Sequence, residues 1–376
     1  MFHKDEETEK SSESKIDSFR EASGKKPKRR LEKKHIILIV IIAVLLLALG
    51  GMFLWWYLAK HKTATPGSTA ATKVQAPLDG VMTTKDAAKR HPLAIIVENH
   101  PDARPQVGLD KASVVYEAIA EGGITRYMAL YGTNEADKVG PVRSARTYFV
   151  DWVEGYNAWL AHCGGNMDAL DQIQSDKVLD LDEFGDAGDY WRESVAGIAT
   201  EHTMYTDTAK LRKTAADRKY SSDNNFKVYK FKNDPTGTAK DALPQSQKVT
   251  VNFSTPQYGV VFDYDRATNS YLRSMGGNSD KDRATDQQLK SKNVVVMTVE
   301  RQATTTRINE NGYNMTVVGS GPAKIYIDGK QTDGTWKKDS KTSREVFLDN
   351  SGQEITFNRG QTWISVIPPE GSVKAE

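Results

Sequence analysis

The 376 residues are 38% hydrophobic, 27% charged and 9% aromatic, which fits one membrane segment attached to roughly two ordinary domains and excludes both wholesale disorder and a multi-span transporter. Fifty-one Lys and Arg oppose 49 Asp and Glu, but residues 1–62 hold 13 basic and 8 acidic side chains, leaving 38 and 41 beyond them; that larger part carries no nucleic-acid footprint. The single Cys163 excludes an intramolecular disulfide and a cysteine-rich zinc site, so stability outside a membrane must come from core burial.

Residues 1–34 are polar and charge-mixed, and read as a solvated tail. Within the next segment, 35–58, the run from Ile36 to Leu58 carries no charge; it is about 34 Å long as a helix against a hydrocarbon core of roughly 30 Å. Seven Lys and Arg between Lys25 and Lys34 precede the run and only Lys60 and Lys62 follow closely, which predicts a cytoplasmic N-terminus and an external C-terminal part. The run is longer than the apolar region of a cleaved signal and ends in Trp55, Trp56 and Tyr57, which predicts an anchor. No cysteine stands just after it for lipid attachment. The Thr/Ala/Pro-rich residues 59–78 read as a flexible stalk.

A mixed α/β domain is expected over 79–235. LAIIV at 93–97 is an apolar run of strand length, buried on both faces, delivering Glu98, Asn99 and His100 to its end. ASVVYEAIAEGGITRYMALYG reads as a hairpin about Gly122 and Gly123. A two-residue turn there pairs Ile119 with Arg126 and puts Glu117, Glu121 and Arg126 on one face. Ser144 is the expected N-cap of a helix with an apolar stripe of Ala145, Phe149, Trp152, Val153 and Tyr156. Arg143 and Arg146 at that helix start oppose its dipole, which predicts an anionic partner, side chain or ligand. AWLAH reads as a strand, with helices after Asn166 and after Thr206.

After a polar interruption at 232–247, residues 246–376 alternate in the strand manner: KVTVNF, GVVFDYD, YLRS, NVVVMTV, YNMTVV, AKIYID, REVFLD, EITF and TWISVI. Turn signals stand at Asp328-Gly329, Asp333-Gly334 and Ser351-Gly352. The expected class is α+β, a layered sheet-and-helix domain followed by a mostly antiparallel β domain.

ENHPDARPQVGL (98–109), VVYEAIAEGGITRYMALY (114–131) and VGPVRSAR (139–146) resemble the YerB-like family of bacterial envelope lipoproteins, as do HCGG at 162–165, YWRE at 190–193, HTMYT at 202–206 and RGQTWISVIP near the C-terminus. The resemblance implies an extracytoplasmic two-domain protein of the cell envelope and no established reaction. This chain departs from the pattern in having an apolar helix in place of the lipidated cysteine, Asn166 after the glycine pair where Ser is usual, and Thr203 after His202 where Asn is usual.

The polar residues of these blocks, Asn99, Asp102, Arg104, Glu117, Glu121, Arg126, Arg143, Arg146, His162 and His202, form either a site for an anionic or zwitterionic ligand or a buried salt-bridge network. No catalytic residue is assigned. Ser144 lies outside a G-x-S-x-G elbow, and Cys163 and His162, adjacent on a strand, point to opposite faces. Glu98 with Glu117 or Glu121 forms a carboxylate pair too common to carry an assignment. His100, His162 and His202 with Asp102 lack zinc-site spacing, and the acidic stretch at 176–189 lacks EF-hand order. No cofactor or metal is expected. The favoured reading is a membrane-anchored, non-catalytic factor that binds cell-wall polymer or wall-synthesis enzymes such as penicillin-binding proteins, and not nucleic acid. The alternative is a wall hydrolase or transferase using the carboxylates and arginines.

Overall fold

The computed structural model describes residues 33–60, 73–222 and 224–376. The expected tail lies outside them except for its last two residues, as do residues 61–72 of the expected stalk. Helix α1 (Lys33–Lys60) is, among the described residues, the one helix long and apolar enough to cross a membrane, a test of length and composition that a signal sequence also passes. Residues 73–78 do not continue a stalk. Val74–Gln75 pairs with Met82–Thr83, and Ala76 and Leu78 are buried, so the apolar end of this stretch belongs to the folded unit that follows.

That unit contains, in chain order, β1 (Leu93–Glu98), β2 (Val114–Ile119), β3 (Thr125–Tyr131), α2 (Thr147–Gly155), β4 (Trp159–His162), α3 (Met167–Asp176), β5 (Asp180–Asp182) and α4 (Thr208–Asp217). It continues with β6 (Lys248–Asn252), β7 (Gly259–Asp265), β8 (Ser270–Met275), β9 (Asn293–Thr298), β10 (Arg301–Thr305), β11 (Asn311–Met315), β12 (Gly319–Ile327), β13 (Lys330–Lys338), β14 (Val346–Asp349), β15 (Thr362–Ile367) and β16 (Ser372–Ala375).

Among the described residues ten strands form one mixed sheet in the order β14-β13-β12-β9-β15-β2-β3-β1-β4-β5. The strands from after residue 246 therefore extend the first sheet. Their own pairings are antiparallel except β9 with β15, and β15 joins β2 in parallel. LAIIV, NVVVMT and TWISVI are apolar on both faces because both faces are covered. One face packs α2 and α3 against Ala94, Ile96, Tyr116, Met128, Val295 and Ile364. The other packs β6, β7 and β8 against Ile95, Val97, Val115, Tyr127, Val294 and Trp363. These three strands belong to a second, antiparallel sheet with β16 and two short segments.

The hairpin departs from the expected register. It turns through Glu121, Gly122 and Gly123, so Ala118 pairs with Arg126 and Ile119 with Thr125; the Ala120 amide donates to the Ile124 carbonyl at 2.7 Å. Both glycines have positive φ, +57° and +79°, which a two-residue turn also demands, so the glycine pair alone did not count the loop. A slip of one residue exchanges the two faces. Glu117 points toward the second sheet and Arg126 toward the helix side.

Three further local expectations change. Helix α2 is capped at Arg146 without a side-chain bond, while the Ser144 hydroxyl donates to the Cys163 carbonyl at 3.0 Å. Asp333-Gly334 lies inside β13, where a Cβ on Gly334 would stand 2.1 Å from the Leu348 carbonyl oxygen; glycine permits close strand approach and not a turn there. β10, β13 and β16 went unread because RQATT, KQTDGTWKK and SVKA lie in exposed or edge positions and lack an apolar alternation.

Candidate functional site

Nine of the ten candidate residues divide into four groups, and the tenth, Asp102, stands on the exposed turn after β1 beside His100. The first, apart from the half-buried Arg104 at its rim, is sealed between the two sheets. Asn99, with no exposed surface, sits just beyond β1 and accepts from Arg104 Nε (2.9 Å) and Gln106 Nε2 (3.0 Å), while its amide donates to Thr125 Oγ1 (2.6 Å). Thr125 donates to Glu117 Oε1 (2.9 Å), and Arg273 Nη2 donates to Glu117 Oε2 (2.7 Å). Arg273 also pairs with Asp280 and lies over the Trp363 ring at 4.3 Å. Glu117 and Arg273 have no accessible surface. Arg104 Nη1 and Nη2 also donate to the Gln257 and Asn99 carbonyls. These residues lock β1, β2, β3 and β8 together, and none of Glu117's oxygens reaches solvent.

The second group opens outward. Glu121, in the hairpin turn, is about one-third exposed. Arg126 Nη2 donates to its Oε2 at 3.1 Å, and Arg146 Nε donates to its Oε1. Arg126 is buried and also donates to the Ser144 carbonyl at 2.7 Å, and Arg146 to that of Ala145 at 2.6 Å. Burial pushes the Glu121 carboxyl up, but the guanidinium groups of Arg126 and Arg146 outweigh it and hold the group below the ordinary carboxylate range. Burial and the neighbouring Arg146 push Arg126 down to about 10. Over Glu121 and Gly122 lies a cleft of about 350 Å³, walled on its far side by Ala303, Thr304, Thr305, Asn311, Gly312 and Tyr313 of the β10–β11 ribbon.

The third group adjoins the second through Arg143, which also contributes to holding Glu121 down. Arg143 Nε lies 3.1 Å from Glu98 Oε1, and His202 Nδ1 lies 2.9 Å from Glu98 Oε2. The His202 ring is stacked on His100 with centroids 4.5 Å apart. His162 stands apart as the fourth. Fully buried, it contacts the Gly164 carbonyl (2.8 Å) and Asp180 (3.3 Å), and it fastens β4 to β5. The acidic stretch at 176–189 is tied into the fold: Asp182 accepts from the Gly164 amide and Asp186 pairs with Arg218.

Sequence reading missed Gln106, Thr125, Arg273 and Asp280 as members of the buried network. Arg273 carried a signal, since it shares an inward face with Tyr271 and Met275 on an alternating strand, and a charge in an apolar-facing position needs a buried partner. Of the cleft wall, β11 was legible in YNMTVV, but the polar strand β10 and the long-range position of the ribbon were not. The other chemistries weaken. Burial and Glu183 push the Cys163 thiol up to about 11, which makes a poor nucleophile, and Glu117 cannot serve a glycosidase pair from a sealed position.

The fold is one two-sheet unit, and its arginines and carboxylates do not by themselves fix a chemistry. Residues 78–221 match the N-terminal domain, and residues 249–364 the C-terminal domain, of the family described as "Protein of unknown function (DUF3048)". The chain belongs to this YerB-like family. It is 31% identical over 315 residues to the putative lipoprotein YerB of Bacillus subtilis (strain 168), covering 82% of this chain and 90% of that protein. The crystal structure of YerB protein from Bacillus subtilis matches with a TM-score of 0.70 at 28% identity, covering 80% of this chain and 100% of the other. Two of the three departures from the family pattern have local explanations: Asn166 caps α3 through Ala169 N (3.3 Å), a role Ser fills equally, and the Thr203 hydroxyl donates to the Thr200 carbonyl at 2.8 Å.

Proposed function

We propose that this is a single-pass envelope protein, N-terminus in the cytoplasm and folded part outside, that binds an anionic group of cell-wall polymer in the cleft over Glu121 without catalysing a reaction on it. The observation that carries the reading is the charge balance behind Glu121, the carboxylate that lines the cleft. Three guanidinium groups, Arg126, Arg143 and Arg146, face two carboxylates, Glu121 and Glu98, so one cationic charge is left for a ligand, and guanidinium suits carboxylate and phosphate bidentately. Glu121 occupies the arginines as an internal anion that a ligand displaces. The basic residues ahead of α1, and a relative described as a lipoprotein, support the placement at the membrane; wall-synthesis enzymes such as penicillin-binding proteins are the other partners this placement permits.

The test is co-sedimentation of the full-length protein in detergent with purified wall sacculi, before and after extraction of their phosphate-containing polymer. Binding that follows the polymer and is lost in Arg146→Met supports the reading; binding that ignores both refutes it. For topology, protease added outside intact cells should degrade the chain beyond about residue 60; a soluble, processed form lacking 36–58 would show a cleaved signal.

A further inference from the structure

The residues that failed the spacing test for zinc in sequence are partly reunited by the fold. His100 and Asp102 lie on the 3₁₀ turn after β1, and His202 ends another such turn about a hundred positions later. One donor atom from each falls within 4.8 Å of the others, and among the described residues this is the one group of three His, Cys, Asp or Glu side chains so placed. His162 is not part of it.

We infer that His100, Asp102 and His202 form a binding site for a divalent transition ion of the zinc class. Two imidazoles and one carboxylate are a donor set that such ions take, with three protein ligands leaving a position for water. The further observation is Glu98. Its Oε2 holds His202 Nδ1 at 2.9 Å, which fixes the ring and leaves Nε2 as the free nitrogen; a carboxylate behind a ligating histidine is the arrangement that orients such rings. Glu98 is itself fixed by Arg143 at 3.1 Å, so the inner half of the site is rigid. The outer half is not. Asp102 is more than half exposed, and His100 is about one-third exposed and restrained by an Asp102 amide bond of 3.3 Å.

The imidazole planes lie within 6° of parallel at 4.5 Å. Parallel planes at that separation share no point at which both lone pairs aim, so ion uptake turns one ring. His100, the more exposed of the two rings, is the one free to turn. The bound ion would lie next to the arginine wall through Glu98, yet the inference stands apart from the cleft: it needs none of Glu121, Arg126 or Arg146.

The experiment is a zinc titration of the metal-stripped, full-length protein in detergent against a chromophoric chelator, repeated with Co²⁺ to read ligand-field absorption. The expected result is one equivalent of zinc per chain, with affinity lowered at least about 100-fold by His100→Ala and by Asp102→Asn. Glu98→Gln should lower it roughly 10–100-fold, the effect expected of a group behind the ligand. His100 and Asp102 lie on the surface, so these variants fold even if His202→Ala does not. Absence of stoichiometric zinc in the unmodified protein, or uptake unchanged by His100→Ala, would overturn the assignment.

Discussion

Glu117 and Glu121 stand four residues apart on one hairpin and both pair with arginine, yet their surroundings differ completely. Glu117 has no accessible surface and is held by Arg273, Thr125 and Trp363 from three other strands. Glu121 sits on a glycine turn beside a cleft, with Arg146 and Arg126 behind it. A buried ion pair specifies geometry without adding much stability, whereas removing one partner is costly. A part-exposed pair contributes little to folding and can be displaced. The same chemical pairing is thus structural in one place and available in the other, and burial decides which.

The sharpest way to break this contrast is Arg273→Met, which strands both Glu117 and Asp280. The expected cost is about 3–5 kcal/mol, read as a melting temperature lower by on the order of 10 °C. A shift of a degree or two would mean that Glu117 reaches solvent. Next in size is Arg126→Met, expected to cost about 1–3 kcal/mol through the lost bonds to Glu121 and the Ser144 carbonyl. Its coupling sharpens the comparison further. A double-mutant cycle with Glu121→Gln should give about 0.5–3 kcal/mol, while one with Glu117→Gln should be additive within about 0.5 kcal/mol, because Glu117 and Arg126 lie on opposite faces. Strong coupling of Glu117 with Arg126 would restore the two-residue turn.

The smallest effect is expected at Glu121, where Glu121→Gln should change stability by less than about 1 kcal/mol at neutral pH. Its folded carboxyl lies below the ordinary range, so its contribution is complete above the unfolded value of about 4.3 and is lost as pH falls through the folded one. Melting curves of the unmodified protein and Glu121→Gln should therefore converge in acid. Divergence on acidification would show that the arginines do not hold the carboxylate.

Much of the architecture was legible because local rules sufficed. LAIIV and TWISVI declared buried strands, Asn166 declared a helix start, the helix expected after Thr206 begins one residue later with Asp207 as its cap, and the stripe from Phe149 to Tyr156 declared the buried face of α2. The site was legible as a set of residues and not as an arrangement. Gly122-Gly123 announced a turn, but its length depended on whether Glu121 joined it, and that one residue decided which arginine Glu117 would meet. Arg273 lies 156 positions from Glu117, and β15, which completes the shared sheet beside β2, is the penultimate strand of the chain. No local pattern encodes such pairings.

The contrast between a sealed network and an available cluster rests most directly on Arg146, whose side chain is mostly buried yet borders the cleft through Glu121. The decisive measurement is binding of full-length Arg146→Met in detergent to polymer-bearing wall sacculi, with its melting curve recorded on the same sample. The expected result is a loss of binding of at least about tenfold, with a melting temperature within a few degrees of the unmodified protein. Unchanged binding, or a fall in melting temperature as large as that of Arg273→Met, would contradict it and make both arginine clusters structural.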